Sequence, residues 1–567
     1  MVAEPPLPSQ AGEFQWWGME KLLKPLDIRF KYHFRGTKKT NRLDKPEWFF
    51  SYQLSRMKEN SQFLECVVQP TIAVASQGVL SKYDAFAEFC SGLVQQCSDK
   101  VSGDSTMLLE EGELLIKTIE ESLSFDSSVT EIMLSSNRRM AELSSTKLSC
   151  VSEISKNRMM IHRWCQLEVT MASAEISRLL LNPNAFELRH IVPVDEEEEA
   201  PDILARDGEN WGTLSAQGAV AALEAVSERY KRLQSPSERA RFYKIVQEET
   251  ILQAYLEGLR SRAERWIKEW ELFSKQRREE AVRLRQHTSA KLARDALDVV
   301  AYAASTEKSS APEVSAADVE LRTLAGLISS AKYCQSALGE VGDTEHFLDL
   351  QNTLITQNPD SVEDPDAGIF DEIISDFTKF AIDLAFQVAH VVATDFQDSA
   401  AVYETQGRMW TSELKRNQAG PEELSPEICE PITILRSHLT TVRTYMHPDL
   451  ASQVWREIAE KVDRWLFEKL SKSGMMYSSS GAVQLRQDME AVTRQFNSFT
   501  KRPENFLKNL KEACILLNLE KDRAKKLLQV LNDPRNKERE EELQGTGVFL
   551  ISVDAARSLL HQRTDTL

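Results

Sequence analysis

No run of this chain reaches the ~20 consecutive apolar residues with which a helix crosses a bilayer. The best candidate, 381–393, is short and carries Asp383 and His390. The opening residues, Met1-Val-Ala-Glu-Pro-Pro, have neither the basic nor the apolar region of a secretory signal. The eight cysteines are scattered without a C-x-x-C pair, and no Asn-x-Ser/Thr acceptor occurs. Both absences point to the reducing cytosol. Positive charge is scarce as well: 69 basic against 87 acidic side chains give a net charge of −18, which argues against nucleic acid as a partner.

The signatures of chemistry are missing too. There is no phosphate-cradling G-x-x-x-x-G-K-[ST], no G-x-G-x-x-G, no H-E-x-x-H and no G-x-S-x-G, and only 21 glycines in 567 residues. One pair comes nearest to a reactive site. His162 and Cys165 lie three residues apart on a predicted helix, close enough to touch as a thiolate–imidazole nucleophile or half a metal site. Trp164 and Leu167 beside them favour the plainer reading, a cysteine used as a small apolar residue on a packed face. Asp371, Glu372 and Asp376 are neighbours only along the chain and decorate the polar side of a helix. The expectation is no enzyme, no cofactor and no metal.

What the chain does have is helical periodicity, and with 42% hydrophobic residues it can bury real cores. Ser235-Pro-Ser-Glu238 reads as a capping box with proline at the first helical position. Beyond it Phe242, Ile245, Leu252, Leu256, Leu259, Ala263, Trp266, Trp270 and Phe273 form a 3-4 seam, with Glu249 its one polar member. Phe370, Ile373, Ile374, Phe377, Phe380, Ala381, Leu384 and Ala385 make a second stripe. Nothing alternates βαβ, and no fixed-period repeat is visible. The expected class is all-α: an elongated helical rod of stacked bundles, since long seams joined by short breaks stack end to end.

The breaks suggest an order of segments. Residues 1–43 form an N-terminal arm, 44–194 a first helical bundle, 195–209 an acidic linker opening on five like charges, and 210–416 a middle bundle of long helices. A proline-rich break, 417–431, leads to a C-terminal bundle, 432–567. Ser305 to Ala317 and Gln357 to Gly368 read as loops inside the middle bundle.

One stretch stands apart, Ile28-Arg-Phe-Lys-Tyr-His-Phe-Arg-Gly-Thr-Lys-Lys-Thr-Asn-Arg-Leu-Asp-Lys-Pro-Glu-Trp-Phe-Phe50. Ile28, Phe30, Tyr32 and Phe34 alternate with Arg29, Lys31, His33 and Arg35, the period of an extended segment with one buried face. A helix should follow, with Asp44 as N-cap, Pro46 in its first turn, Glu47 completing a capping box and Leu43 stapled onto Trp48. Because proline offers no N–H, the Asp44 carboxylate should bond the Glu47 amide, and Pro70 should end the helix near Val68.

Taken together, Arg29, Phe30, Tyr32, His33 and Phe34, then Thr40, Asn41, Asp44, Lys45, Pro46, Glu47 and Trp48, resemble the signature of the RINT/TIP family. These are subunits of the tethering complex that receives Golgi-derived vesicles at the endoplasmic reticulum. A downstream block agrees: Gly481, Gln484, Leu485 and Asp488 within 481–489, Arg502, Pro503, Glu504 and Asn505 within 501–506, then 511–519. The resemblance implies a helical-rod tether of the CATCHR type, peripheral at the endoplasmic reticulum membrane on its cytoplasmic side. It implies a non-enzymatic role in Golgi-to-ER (COPI) retrograde transport, linking other tethering-complex subunits to ER SNARE proteins. SNARE binding is expected in the C-terminal bundle. Family members carry an N-terminal coiled coil before the first block, and only 27 residues precede Ile28 here. The competing readings are another helical-rod tether of exocyst type, which the Thr40–Trp48 block argues against; a spectrin-like cytoskeletal scaffold, which would repeat; and a thiol hydrolase built on Cys165.

Overall fold

A computed structural model describes residues 17–75, 83–135, 149–188, 211–292, 316–357, 367–401, 403, 424–472, 475–533 and 538–566. The acidic linker 195–209, nearly all of the expected loops 305–317 and 357–368, and 417–423 of the proline-rich break lie outside them. The fold is all-α. Among the described residues the only β pairings are isolated bridges, Leu188 with Thr213 and Tyr477 with Arg563. No described helix is long and apolar enough to cross a membrane. The chain forms two compact units: one of Met1–Arg178, Ala219–Tyr255 and Val341–Ile369, the other of Leu179–Gly218, Leu256–Glu340 and Phe370–Leu567.

In the first unit the expected extended arm is a helix, Trp17–Phe34. Met19, Leu23, Phe30 and Phe34 fall on one helical stripe and are buried, while Ile28 and Tyr32 are 61% and 57% exposed. Over seven residues a period of two cannot be told from Phe30 and Phe34 at i, i+4. The rings they meet decide. Phe34 packs against Tyr52 with centroids 5.6 Å apart, Phe49 against Phe50 at 4.2 Å, and Phe50 against Phe125 at 4.8 Å. A helical turn is the conformation that sends both phenylalanines into this cluster.

The next helix, Pro46–Phe63, does not stop before Pro70. It widens into a π turn, Leu64–Val68, and continues as Gln69–Ala75. The Gln69 amide reaches back to the Leu64 carbonyl, five residues away. The wider turn lets the chain pass a residue that has no N–H and whose ring crowds an ordinary α turn.

The Ser235 cap forms as expected: its hydroxyl accepts the Glu238 amide, with Pro236 in the first turn. After Phe242 the helix again takes π geometry, over Tyr243–Gln253, and this shifts the seam. Tyr243, Val246, Gln247 and Ile251 turn inward, whereas Ile245 is half-buried and Glu249 lies outside. Gln247 is buried with its bonds made: it accepts from the Tyr230 hydroxyl and donates to the Leu223 carbonyl at 2.7 Å and to Ser227 Oγ at 2.6 Å.

In the second unit the seam resumes as expected, with Leu256, Leu259, Ala263, Trp266 and Trp270 buried. The stripe that opens at Phe370 forms the buried face of Asp371–Ser399 and extends through Val388 and Val392 to Phe396. It packs against Pro426–Tyr445 and Pro448–Lys472. The proline-rich break ends earlier than expected, because Pro431 lies buried inside the helix that Pro426 begins. It omits a single backbone bond there, which burial of its ring offsets.

Candidate functional site

The two blocks of marked residues fall in different units. In the first block, Arg29, Tyr32 and His33 share a helix with the buried Phe30 and Phe34, and Arg29 and Tyr32 are exposed. Helical geometry places Lys31 away from Arg29 and His33, and it pairs instead with Asp27 at 2.7 Å. Thr40 closes the following loop by donating to the His33 carbonyl at 2.6 Å, and Asn41 by donating to the Gly36 carbonyl at 2.8 Å.

The capping box at Asp44 does not form. The helix begins with Lys45 as its N-cap and Pro46 at the first position, and no side chain caps it. The cause is steric. Proline drives the residue before it out of the α region, so Lys45 cannot be the first helical residue and the frame shifts by one. Asp44 is left outside, bound to the Arg42 guanidinium, and that hydrogen bond holds its carboxyl below the usual range. The same shift removes the staple: Trp48 is 41% exposed, with Arg42 over its ring at 5.7 Å. Glu47 faces Lys45 and Lys117, each at 3.4 Å, and Lys117 also donates to the Asp44 carbonyl at 2.7 Å. The loop is thereby tied to the Gly112–Ser135 helix.

The second block is built inward. Ser478 caps the Ser479–Arg494 helix by accepting the Gly481 amide at 3.1 Å. Leu485 and Asp488 lie on the buried face, both fully buried. The Asp488 carboxylate accepts four hydrogen bonds: from the Tyr403 hydroxyl at 2.8 Å, the Ser425 backbone amide at 3.0 Å, the Ser425 hydroxyl at 2.6 Å and the Gln484 side-chain Nε2 at 3.2 Å. Ser425 is the N-cap of Pro426–Tyr445, so Asp488 caps a helix other than its own. Burial and this carboxylate hold the Tyr403 phenol well above its ordinary range.

Two further carboxylates act alike nearby. Asp463 accepts the Asn509 and Leu510 amides at 3.2 and 2.8 Å, and Glu512 accepts those of Phe549, Leu550 and Ile551, the last at 3.0 Å. Arg502 and Asn505 are exposed, whereas Pro503 is buried and Glu504 half-buried. Pro503 and Glu504 line an open groove of about 620 Å³.

Sequence reasoning did not find Tyr403 and Ser425, the partners of Asp488. Its available signal was an acid set among Leu485, Met489 and Val492 on an apolar face. The His162–Cys165 pair has no nucleophile's geometry. Burial pushes the Cys165 thiol up to about 11, and the His162 nitrogens meet Gln166 at 3.1 Å and Arg241 at 2.6 Å. Among the described residues no group of three or more metal-ligating side chains comes together.

Three findings place this arrangement among known proteins. The model of the RINT-1/TIP-1 family matches residues 17–563. A Drosophila melanogaster protein named RINT1-like protein is 23% identical over 549 residues, which cover 96% of this chain and 64% of the fly protein. The chain thus spans slightly less than two thirds of that relative. A chain in the crystal structure of the SNARE Sec20 bound to the Dsl1 complex subunit Tip20 has a similar fold, with a TM-score of 0.57 at 13% identity over 97% of this chain and 80% of that one.

Proposed function

The chain belongs to the RINT-1/TIP-1 family, and from that membership we propose that it is a non-enzymatic subunit of a vesicle-tethering complex at the endoplasmic reticulum, acting in Golgi-to-ER (COPI) retrograde transport. It bridges other tethering subunits and ER SNARE proteins, and residues 432–567 form the SNARE-binding part. The observation that carries this reading is the family match over residues 17–563. The fold it shares with a chain from a Tip20–Sec20 complex supports it. So does the character of several block residues: Thr40 and Asn41 close a loop and Asp488 caps a neighbouring helix, which suits a scaffold that holds partners in place. In this reading attachment to the membrane runs through those partners; no described helix is long and apolar enough to cross a membrane.

The test is co-elution of the purified chain with the cytosolic segment of an ER SNARE on a sizing column. A joint, shifted peak is expected. Separate elution at micromolar concentrations overturns the SNARE-binding role.

A further inference from the structure

The open groove lies between the Ser479–Arg494 helix and the Lys508–Leu517 helix. These run antiparallel, since Asn518, just past the end of the second, donates to the Ala482 carbonyl near the start of the first at 3.0 Å. Each wall repeats at helical spacing. Arg486, Glu490, Thr493 and Asn497 form one edge, and Leu507, Lys511, Cys514 and Asn518 the other. Eleven residues of rise make each edge about 16 Å long, roughly three helical turns. Met489, Leu510, Ile515 and Leu519 supply apolar floor between them, with Ile515 and Leu519 half-buried. A site for a small polar molecule would aim its polar groups inward. Here the charged side chains Arg486, Glu490, Arg494, Lys501 and Lys511 are exposed at the rim.

The rim is positive in a chain whose net charge is −18. Glu490 is shared between Arg486 and Arg494, each 3.8 Å away, so one carboxylate faces two guanidiniums. Lys501 and Lys511 have no ion-pair partner among the described residues, and Glu504 is the only other acid on the lining. We propose that this groove docks an amphipathic helix of a partner protein, its apolar ridge on the floor and acidic residues along its flanks. A two-helix trough with an apolar floor accepts a third helix by ridge-into-groove packing. The cationic rim steers an acidic partner to this face of a molecule that otherwise repels it. The proposal takes the identity of the partner, a SNARE, from the tethering reading, while the geometry of the groove stands apart from it.

Two labelled probes against the full chain test it by fluorescence anisotropy. One is the cytosolic segment of an ER SNARE. The other is a synthetic amphipathic helix of about 20 residues, with leucine at every third or fourth position and glutamates on the flanks. The variants are the double substitution Lys501→Glu/Lys511→Glu and, separately, Ile515→Arg, each checked for unchanged helical content and melting midpoint. We expect the wild-type chain to bind and each variant to weaken binding by about tenfold or more, with the wild-type affinity falling as salt rises. If the SNARE segment binds wild type and variants equally, the groove is wrong and the tethering reading stands. If the SNARE segment fails to bind while the synthetic helix binds and is lost in the variants, the groove stands and the SNARE reading falls. Binding of neither probe to the wild-type chain overturns the groove.

Discussion

Asp44 and Asp488 both sit in the blocks through which the sequence resembles this family, and the fold treats them in opposite ways. Asp44 stays outside its helix, half-exposed and tied to Arg42 two residues away. Asp488 lies fully buried, accepting four hydrogen bonds, three of them from residues more than sixty positions distant. The first block holds its place through rings, Phe30, Phe34, Phe49 and Phe50, with its charges displayed on the surface. The second holds through buried carboxylates that cap the helices and loops around them. A shared motif status therefore says nothing about burial. What separates the two acids is whether distant donors can reach them once the chain has folded.

The largest effect should come from Asp488→Ala. It removes the buried acceptor of the Ser425 amide and of the Ser425 and Tyr403 hydroxyls, for an expected loss of about 3–5 kcal/mol in denaturant unfolding. Asp488→Asn keeps an acceptor and should lose less. Equal midpoints for wild type and Asp488→Ala would mean that the buried cap is not a stabilising device.

A middle-sized effect separates burial from motif status. Asp126, outside both blocks but buried in the first unit, accepts the Ser149 hydroxyl at 2.7 Å and the Cys150 and Val151 amides at 2.8 and 3.2 Å. Burial outweighs those hydrogen bonds and pushes its carboxyl up to about 6 from 3.8. A raised pKa in the folded state favours the protonated form. The contribution is therefore fully present below pH ~4 and is lost as pH climbs towards ~6, by on the order of 2–3 kcal/mol. The stability of wild type relative to Asp126→Asn should fall over that window and stay level above it. A difference independent of pH would remove Asp126 as the titrating group.

The smallest effect is expected at Asp44. Asp44→Ala should leave the unfolding midpoint unchanged, because an exposed pair with Arg42 adds little and the helix start takes no bond from this carboxylate. A clear loss of stability would show that Asp44 caps the helix after all, and would erase the contrast with Asp488.

Much of the architecture was legible in the order of residues, where patterns were long. The stripe from Phe370 to Ala385 holds its phase over four turns and forms the buried face it implies. Ser235 caps its helix because serine, proline and glutamate agree within four residues. Short or single-residue signals misled. The seven-residue alternation around Phe30 fits a strand and a helix equally. Pro70 and Pro431 have the residue type of terminators, yet a π turn and a buried ring accommodate them. Asp44 has the residue type of an N-cap, while the backbone restriction that Pro46 places on Lys45 moves the helix start past it.

The sequence by itself determined the all-α class and the stripe from Phe370, because those rest on composition and local periodicity, and it pointed to the family through the residues of the two blocks that carry the resemblance. Only the tertiary structure decided which carboxylates go inside. That choice depends on donors such as Tyr403 and Ser425, far away along the chain and near only in space, and the cost of burying a charge is met only when they arrive.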